Sequence, residues 1–100
     1  MKTYLNTNKE NTKIVIELDY SNTRYYSKGY YLKAYTVITQ IIDNKEFIFN
    51  SFDNMQSMLI LGVDRKSKSS YDKALKLSNE LQSKLIDAVI IKANLTPINL

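Results

Sequence analysis

The chain has 100 residues, of which 44% are hydrophobic, and its 14 basic and 10 acidic side chains give a net charge of +4. This length is typical of one domain, and the hydrophobic content excludes a disordered chain. No apolar run approaches the ~20 residues that a membrane-spanning helix needs. The start of the chain also lacks the apolar core of a signal peptide, so we expect a soluble, cytoplasmic protein.

Cysteine and histidine are both absent. Their absence removes the thiolate nucleophile, the most common general base and the standard zinc ligands. The acidic residues are scattered, and only Glu17 and Asp19 would share one face of a strand at close spacing. Two solvated charges on an exposed strand are the ordinary explanation of that pair. We therefore predict a protein that is not an enzyme and that uses no cofactor and no metal.

The first half of the chain alternates with the period of β-strands. Residues 1–11 are polar and show no period, so we expect a flexible N-terminal segment. Residues 12–20 predict a first strand, because apolar side chains from Ile14 to Tyr20 alternate with mostly polar ones. Residues 30–42 predict a second and longer strand, rich in β-branched and aromatic side chains.

Three further features complete the predicted sheet. Asp43 and Asn44 favour a hairpin turn, after which residues 46–52 predict a third strand. Residues 58–63 predict a fourth strand. This run is apolar on both faces, as a central strand is.

Helical spacing replaces the alternation from about residue 70 to residue 93. Ser69 or Ser70 is the expected N-cap, Asp72 would lie in the first turn, and Asn94 and Pro97 would end the helix. The predicted apolar stripe consists of Ala74, Leu77, Leu81, Leu85 and Ala88. The fold class is therefore α+β. We expect an antiparallel meander of three to four strands (about 12–63) packed on one long C-terminal helix, in a single domain over 12–100.

One helix covers only one face of such a sheet, so the other face must be solvated, closed by oligomerisation or reserved for a partner. On that face we expect Tyr31, Lys33, Tyr35 and Val37 as an exposed row. Tyrosine and arginine are prominent in protein interfaces, and tyrosines also stack on bases, although an ordinary half-solvated strand uses the same residues. The candidate partner-binding residues are Arg24, Tyr25, Tyr26, Lys28, Tyr31, Lys33 and Tyr35.

A basic segment before the helix is the second candidate surface. Its residues are Arg65, Lys66, Lys68, Ser69 and Ser70. Cations and hydroxyls beside the free N–H groups of a helix N-terminus suit a phosphate group. A solvated connector that only caps the helix explains the same residues.

The C-terminal end of the helix is apolar nearly all round, from Leu85 to Ile91. Burial by the sheet and the returning chain is the simpler explanation, and a homodimer contact stays open. The composition, rich in Asn, Lys, Ile and Tyr, is typical of an AT-rich genome. We interpret the chain as a protein-interaction module, an inhibitor or adaptor of the kind that phages and mobile elements carry. The alternative is a nucleic-acid-binding protein that uses the sheet tyrosines and the basic segment.

Overall fold

The computed structural model describes residues 2–22, 27–50 and 54–95. These residues form β1 (Lys2–Asn6), β2 (Thr12–Ser21), β3 (Gly29–Ile42), β4 (Lys45–Asn50), β5 (Gln56–Gly62) and α1 (Lys68–Ala93). The strands build one antiparallel five-stranded sheet, and α1 packs against one of its faces. The predicted α+β class, with one C-terminal helix on an antiparallel sheet, is confirmed.

β3 is the central strand of the sheet. It pairs with β2 along one edge, whereas its other edge is shared by two strands placed end to end. Residues 29–34 of β3 pair with β5, and residues 37–42 pair with β4. The central position predicted for the fourth strand is therefore wrong, since β5 pairs only with β3 among the described residues. The 14 residues of β3 leave room for two partners on one edge.

The N-terminal segment that was expected to be flexible contains β1. This strand pairs with β2 and places Leu5 opposite Ile14, where it packs against the main core. In the connection to β2, the Thr7 hydroxyl donates to the Thr12 carbonyl at 2.9 Å, and Asn11 adopts a positive φ of 67°. Five mostly polar residues are too few to show a strand period, so sequence reasoning missed this element.

The turn between β3 and β4 matches its prediction. Asp43 and Asn44 have φ values of 51° and 63°. Two successive positive φ angles define the type I′ turn, which fits the twist of a two-residue hairpin and favours Asn and Asp. The turn places Ile42 opposite Lys45 and so sets the register of the whole hairpin.

The main core lies between α1 and the even-numbered residues of β2 and β3. Ile14 and Ile16 from β2 are fully buried, and the same cluster contains Leu85, Ile86 and Val89 from the helix. The even-numbered residues of this cluster face α1, as the predicted alternation requires, although Val15, Tyr35 and Val37 on the other face are buried as well. Leu95, just after the helix, is also buried in this core, so the sheet and the returning chain do cover the apolar end of α1. The exception is Ile91, which is 80% exposed.

The buried stripe of α1 differs in part from the predicted one. Ala74 and Leu85 are buried as expected, whereas Leu77, Leu81 and Ala88 are only half-buried. Leu81 still packs against the main core, and Ser78, Ile86 and Val89 are the buried residues that the prediction did not include. A stripe counted from apolar residues passes over Ser78, which is 1% exposed and whose hydroxyl donates to the Leu75 carbonyl at 2.7 Å.

The helix begins earlier than predicted. Its N-cap is Ser67, whose side chain accepts a hydrogen bond from the backbone N–H of Ser70, while the Ser70 hydroxyl accepts from the Ser67 N–H. This reciprocal capping box satisfies two donors that the first turn leaves free. Ser69 and Ser70 therefore lie inside the helix, and the first turn has no acidic residue, so the position predicted for Asp72 is wrong. The end at Asn94 is confirmed by its left-handed conformation.

Within the described residues, α1 is neither apolar enough nor sufficiently free of charge to cross a membrane.

Gly29 begins β3 at a position that no other residue fits. Its φ is +152°, and a Cβ atom there would collide with the Leu61 carbonyl oxygen of β5. Gly62 lies opposite in the register, but a Cβ atom on Gly62 would meet its nearest neighbour, the Lys28 carbonyl oxygen, only at 3.9 Å. The two glycines lie opposite each other, but only at Gly29 does the surrounding structure exclude a side chain.

We expect Gly29→Ala to lower the free energy of unfolding by about 2 kcal/mol or more, because both the backbone angle and the contact with β5 oppose a side chain. Gly62→Ala should change stability by less than about 1 kcal/mol, since its Cβ would occupy free space. Urea denaturation followed by circular dichroism measures both values. Equal destabilisation by the two substitutions would contradict this reading of Gly29.

Candidate binding face of the sheet

The face of the sheet opposite α1, called the open face below, carries the odd-numbered residues of β2 and β3. One cross-strand row aligns Lys2, Glu17, Lys33 and Ser57 from β1, β2, β3 and β5. Charges therefore alternate in sign across the sheet. Next to this row, the Lys33 ammonium lies 3.3 Å from an Asp19 carboxylate oxygen. The predicted sharing of one strand face by Glu17 and Asp19 agrees with this arrangement.

The exposed row expected on this face is interrupted by a second, small core. Tyr35 and Val37, which were expected to be exposed, are only 1% and 0% exposed. They pack with Val15 from β2, and Met55 lies against the same cluster. The expectation of exposure is therefore wrong for Tyr35 and Val37, because they pack with Val15 and Met55 instead of facing solvent. Tyr31 and Lys33 remain half-buried and accessible.

Tyr35 is also tied to the strand beside it. Its hydroxyl donates a hydrogen bond to a Glu17 carboxylate oxygen at 3.0 Å. Burial raises the pKa of Tyr35 to about 12, and the hydrogen bond and the negative charge of Glu17 act in the same direction. Glu17 therefore anchors the buried ring, in addition to contributing charge to the open face.

A shallow depression of about 340 Å³ lies beside the small core. It is lined by Asp19, Ser21, Tyr31, Lys33 and Ser57. The Tyr31 hydroxyl donates to the Ser27 carbonyl at 2.8 Å, which fixes the direction of the ring. A carboxylate, an ammonium group, an aromatic ring and two hydroxyls thus surround one concave area.

Only part of this constellation was predicted from the sequence. Tyr31 and Lys33 were candidates, and Asp19 is recognisable from its period-two spacing with Glu17. Ser57 could not be found, because the pairing of β5 with β3 cannot be read from local spacing. Among the other candidates, Lys28 is exposed just before β3. Arg24, Tyr25 and Tyr26 lie outside the described residues.

The basic segment before α1 is on the surface, as expected. Arg65, Lys66, Lys68 and Ser69 are exposed, and Ser70 is half-buried. The Lys66 ammonium lies 5.5 Å from the centroid of the Tyr20 ring, within cation–π range. The N–H of Ser70 is already bound to the Ser67 hydroxyl oxygen. The segment therefore keeps its cations, but the helix cap uses part of the hydrogen-bonding capacity that a phosphate would need.

No cluster of three or more acidic side chains suited to a metal ion occurs in the residues that the structure describes. Comparison with protein-family models, with curated proteins and with solved structures finds no match to this chain.

The raised pKa of Tyr35 predicts how stability depends on pH. In the unfolded chain the phenol ionises near pH 10, whereas in the folded state it stays protonated to about pH 12. The stabilisation is therefore complete below pH 10 and is lost as the pH rises from 10 to 12. The expected slope approaches about 1.4 kcal/mol per pH unit. Urea unfolding of the wild type and of Tyr35→Phe between pH 8 and about pH 11.5 measures the difference, and parallel curves would contradict the prediction.

Proposed function

We propose that this chain is a small non-catalytic interaction module that binds a protein partner through the open face, around Tyr31 and Lys33. The main support for this proposal is the depression on the open face, because it combines an aromatic ring, both signs of charge and two serine hydroxyls in one accessible place. Such a site can bind a polypeptide through these groups, and binding requires no nucleophile or general base. We propose the role of an inhibitor or adaptor, which acts by occupying its partner.

The chemistry of the open face favours a protein partner. Tyrosine contributes a large contact area with little loss of side-chain freedom, and it is enriched at interface hot spots. The Tyr31 ring is already oriented by its bond to Ser27, so binding costs less entropy. The ion pair of Lys33 and Asp19 offers both a donor and an acceptor to a polypeptide of mixed charge.

The same chemistry disfavours nucleic acid on the open face. Lys33 is paired with Asp19, and Lys13 is paired with Glu46 at 2.9 Å. These carboxylates would repel a phosphate backbone. A stacking surface also needs accessible rings, and the Tyr35 ring is buried.

Nucleic-acid binding stays as the second candidate function because of the basic segment. Arg65, Lys66 and Lys68 are exposed within four positions of one another. Such a cluster can contact phosphates without reading sequence, and its binding weakens steeply with salt.

The proposal is tested with a photo-crosslinking residue in place of Ser57, which is exposed at the rim of the depression. We expect a defined protein to be crosslinked in a lysate of the source organism, and we expect Tyr31→Ala combined with Lys33→Ala to reduce its yield at least tenfold. Lys76→Ala with Glu80→Ala, on the exposed side of α1, is the matched control and should not change the yield. Equal yield from all three proteins would contradict the proposal. Tyr35 is left intact because its replacement by alanine would open the small core.

Fluorescence anisotropy with labelled oligonucleotides separates the second candidate function from the first. If binding occurs and persists at near-physiological salt, charge reversal of Arg65, Lys66 and Lys68 should weaken it and flatten its salt dependence. The open-face variant Tyr31→Ala with Lys33→Ala should leave such binding unchanged. Binding that disappears at near-physiological salt would reflect only the net positive charge.

A further inference from the structure

The outer edge of β4 carries backbone groups that are not used by the sheet. Among the described residues, β4 pairs only with β3. The type I′ turn makes Ile42 and Lys45 a hydrogen-bonded pair, and such pairs alternate along an antiparallel ladder. The N–H and C=O groups of Glu46, Ile48 and Asn50 therefore point away from β3, along the free edge.

The middle of this edge, after Lys45 and Glu46, lacks the features that normally protect a sheet margin. Phe47, Ile48 and Phe49 are consecutive apolar residues with exposed fractions of 45%, 43% and 49%. Charged side chains, proline and bulges are the usual means of preventing edge-to-edge pairing, and none of them interrupts these three residues. α1 packs against β2, β3 and β5 but not against β4, so the helix does not cover these side chains. β1, at the opposite margin, is mostly polar and includes Lys2.

We propose that a second copy of this chain binds along β4, as an antiparallel strand related by a two-fold axis through Ile48. The pair closes on itself, because each copy uses the same edge. The two five-stranded sheets then form one continuous sheet across the axis.

The sequence of β4 is self-complementary in this register. Ile48 lies opposite Ile48, and Phe47 lies opposite Phe49 of the second copy. Both phenylalanine pairs then share the face on which Phe47 and Phe49 already lie in the hairpin. Cross-strand pairs of aromatic residues are favourable contacts. The palindrome Phe-Ile-Phe thus matches apolar residues with apolar residues throughout.

The backbone agrees with the same register. Ile48 opposite Ile48, and Glu46 opposite Asn50 on either side of the axis, bring together residues whose N–H and C=O groups point outward. These three pairs would form about six intermolecular hydrogen bonds. The neighbouring antiparallel registers with the same outward groups differ by two in the register sum. They would place Ile48 opposite Glu46 or opposite Asn50, so the apolar Ile48 would lose its apolar partner.

Residues beside the edge enlarge the apolar contact area. Ile38, Ile41 and Ile42 on the same hairpin are also exposed. A two-fold axis perpendicular to the sheet keeps each face on its own side, so the two open faces would point in the same direction. The dimer does not depend on the proposed function, since Tyr31 and Lys33 lie on the part of β3 that pairs with β5 and not with β4.

Sedimentation velocity between about 1 and 200 μM tests the dimer. We expect a concentration-dependent equilibrium of monomer and dimer, and we expect Ile48→Pro to weaken dimerisation at least tenfold. Proline at position 48 removes an N–H that points outward, so it spares the ladder between β3 and β4. Ile91→Lys is the matched control, because it also replaces an exposed isoleucine, here one on α1 that is 80% exposed. This variant should dimerise like the wild type. A wild type that stays monomeric at 200 μM, or an Ile48→Pro variant that still dimerises fully, would overturn the proposal.

Disulfide trapping tests the register, because the chain has no cysteine of its own. In the proposed register, two Ile48→Cys chains bring their Cα atoms to about 5.5 Å, within the range of a disulfide. Mild oxidation should therefore yield a covalent dimer of Ile48→Cys, and a mixture of Phe47→Cys with Phe49→Cys should yield the mixed dimer in preference to either homodimer. Ile91→Cys controls for random collision. Trapping of Ile48→Cys no faster than Ile91→Cys would overturn the proposed edge, and preferential homodimers of Phe47→Cys would overturn the register.

Discussion

The backbone pairing of β3 is the interaction on which the rest of the structure depends. β3 pairs with β2 on one edge and with β4 and β5 in succession on the other. The position of Gly29 at its start is part of this arrangement, because a side chain there would push β5 away. With β5 held beside the first half of β3, α1 can pack across β2, β3 and β5. The second half of β3 and β4 then project beyond the helix, which leaves the apolar hairpin exposed.

The local elements of this fold could be predicted from the sequence because their causes are local. Apolar residues at a spacing of two place β2 and β3, the pair Asp43 and Asn44 fits a turn of two positive φ angles, and helical spacing followed by Asn94 places α1. The pairing of β5 with β3 brings together segments that are distant in the chain, so no local pattern encodes it. β1 is too short and too polar to show a period. Its place depends on Leu5 reaching a core that the other elements build.

In the candidate site, too, the features with local causes could be predicted and those that depend on long-range pairing could not. Tyr31, Lys33 and Asp19 alternate on adjacent strands, so a pattern of period two is enough to place them on one face. The depression itself depends on the alignment of β5, which contributes Ser57. Sequence reasoning also treated the face without a helix as uniformly exposed. The cluster of Val15, Tyr35, Val37 and Met55 shows that part of this face is buried as well.

The small core around Tyr35 lies between two separate regions of the sheet. On one side lie Tyr31, Lys33 and Asp19, where charges and a hydroxyl-rich depression suit a partner of mixed polarity. On the other side the hairpin of β3 and β4 presents apolar side chains and free backbone groups, which suit another strand. Tyr35, fixed by its bond to Glu17, packs between the regions and keeps the strands beneath them in register. A partner on the open face and a second copy on the hairpin would therefore use different chemistry and different residues of the same molecule.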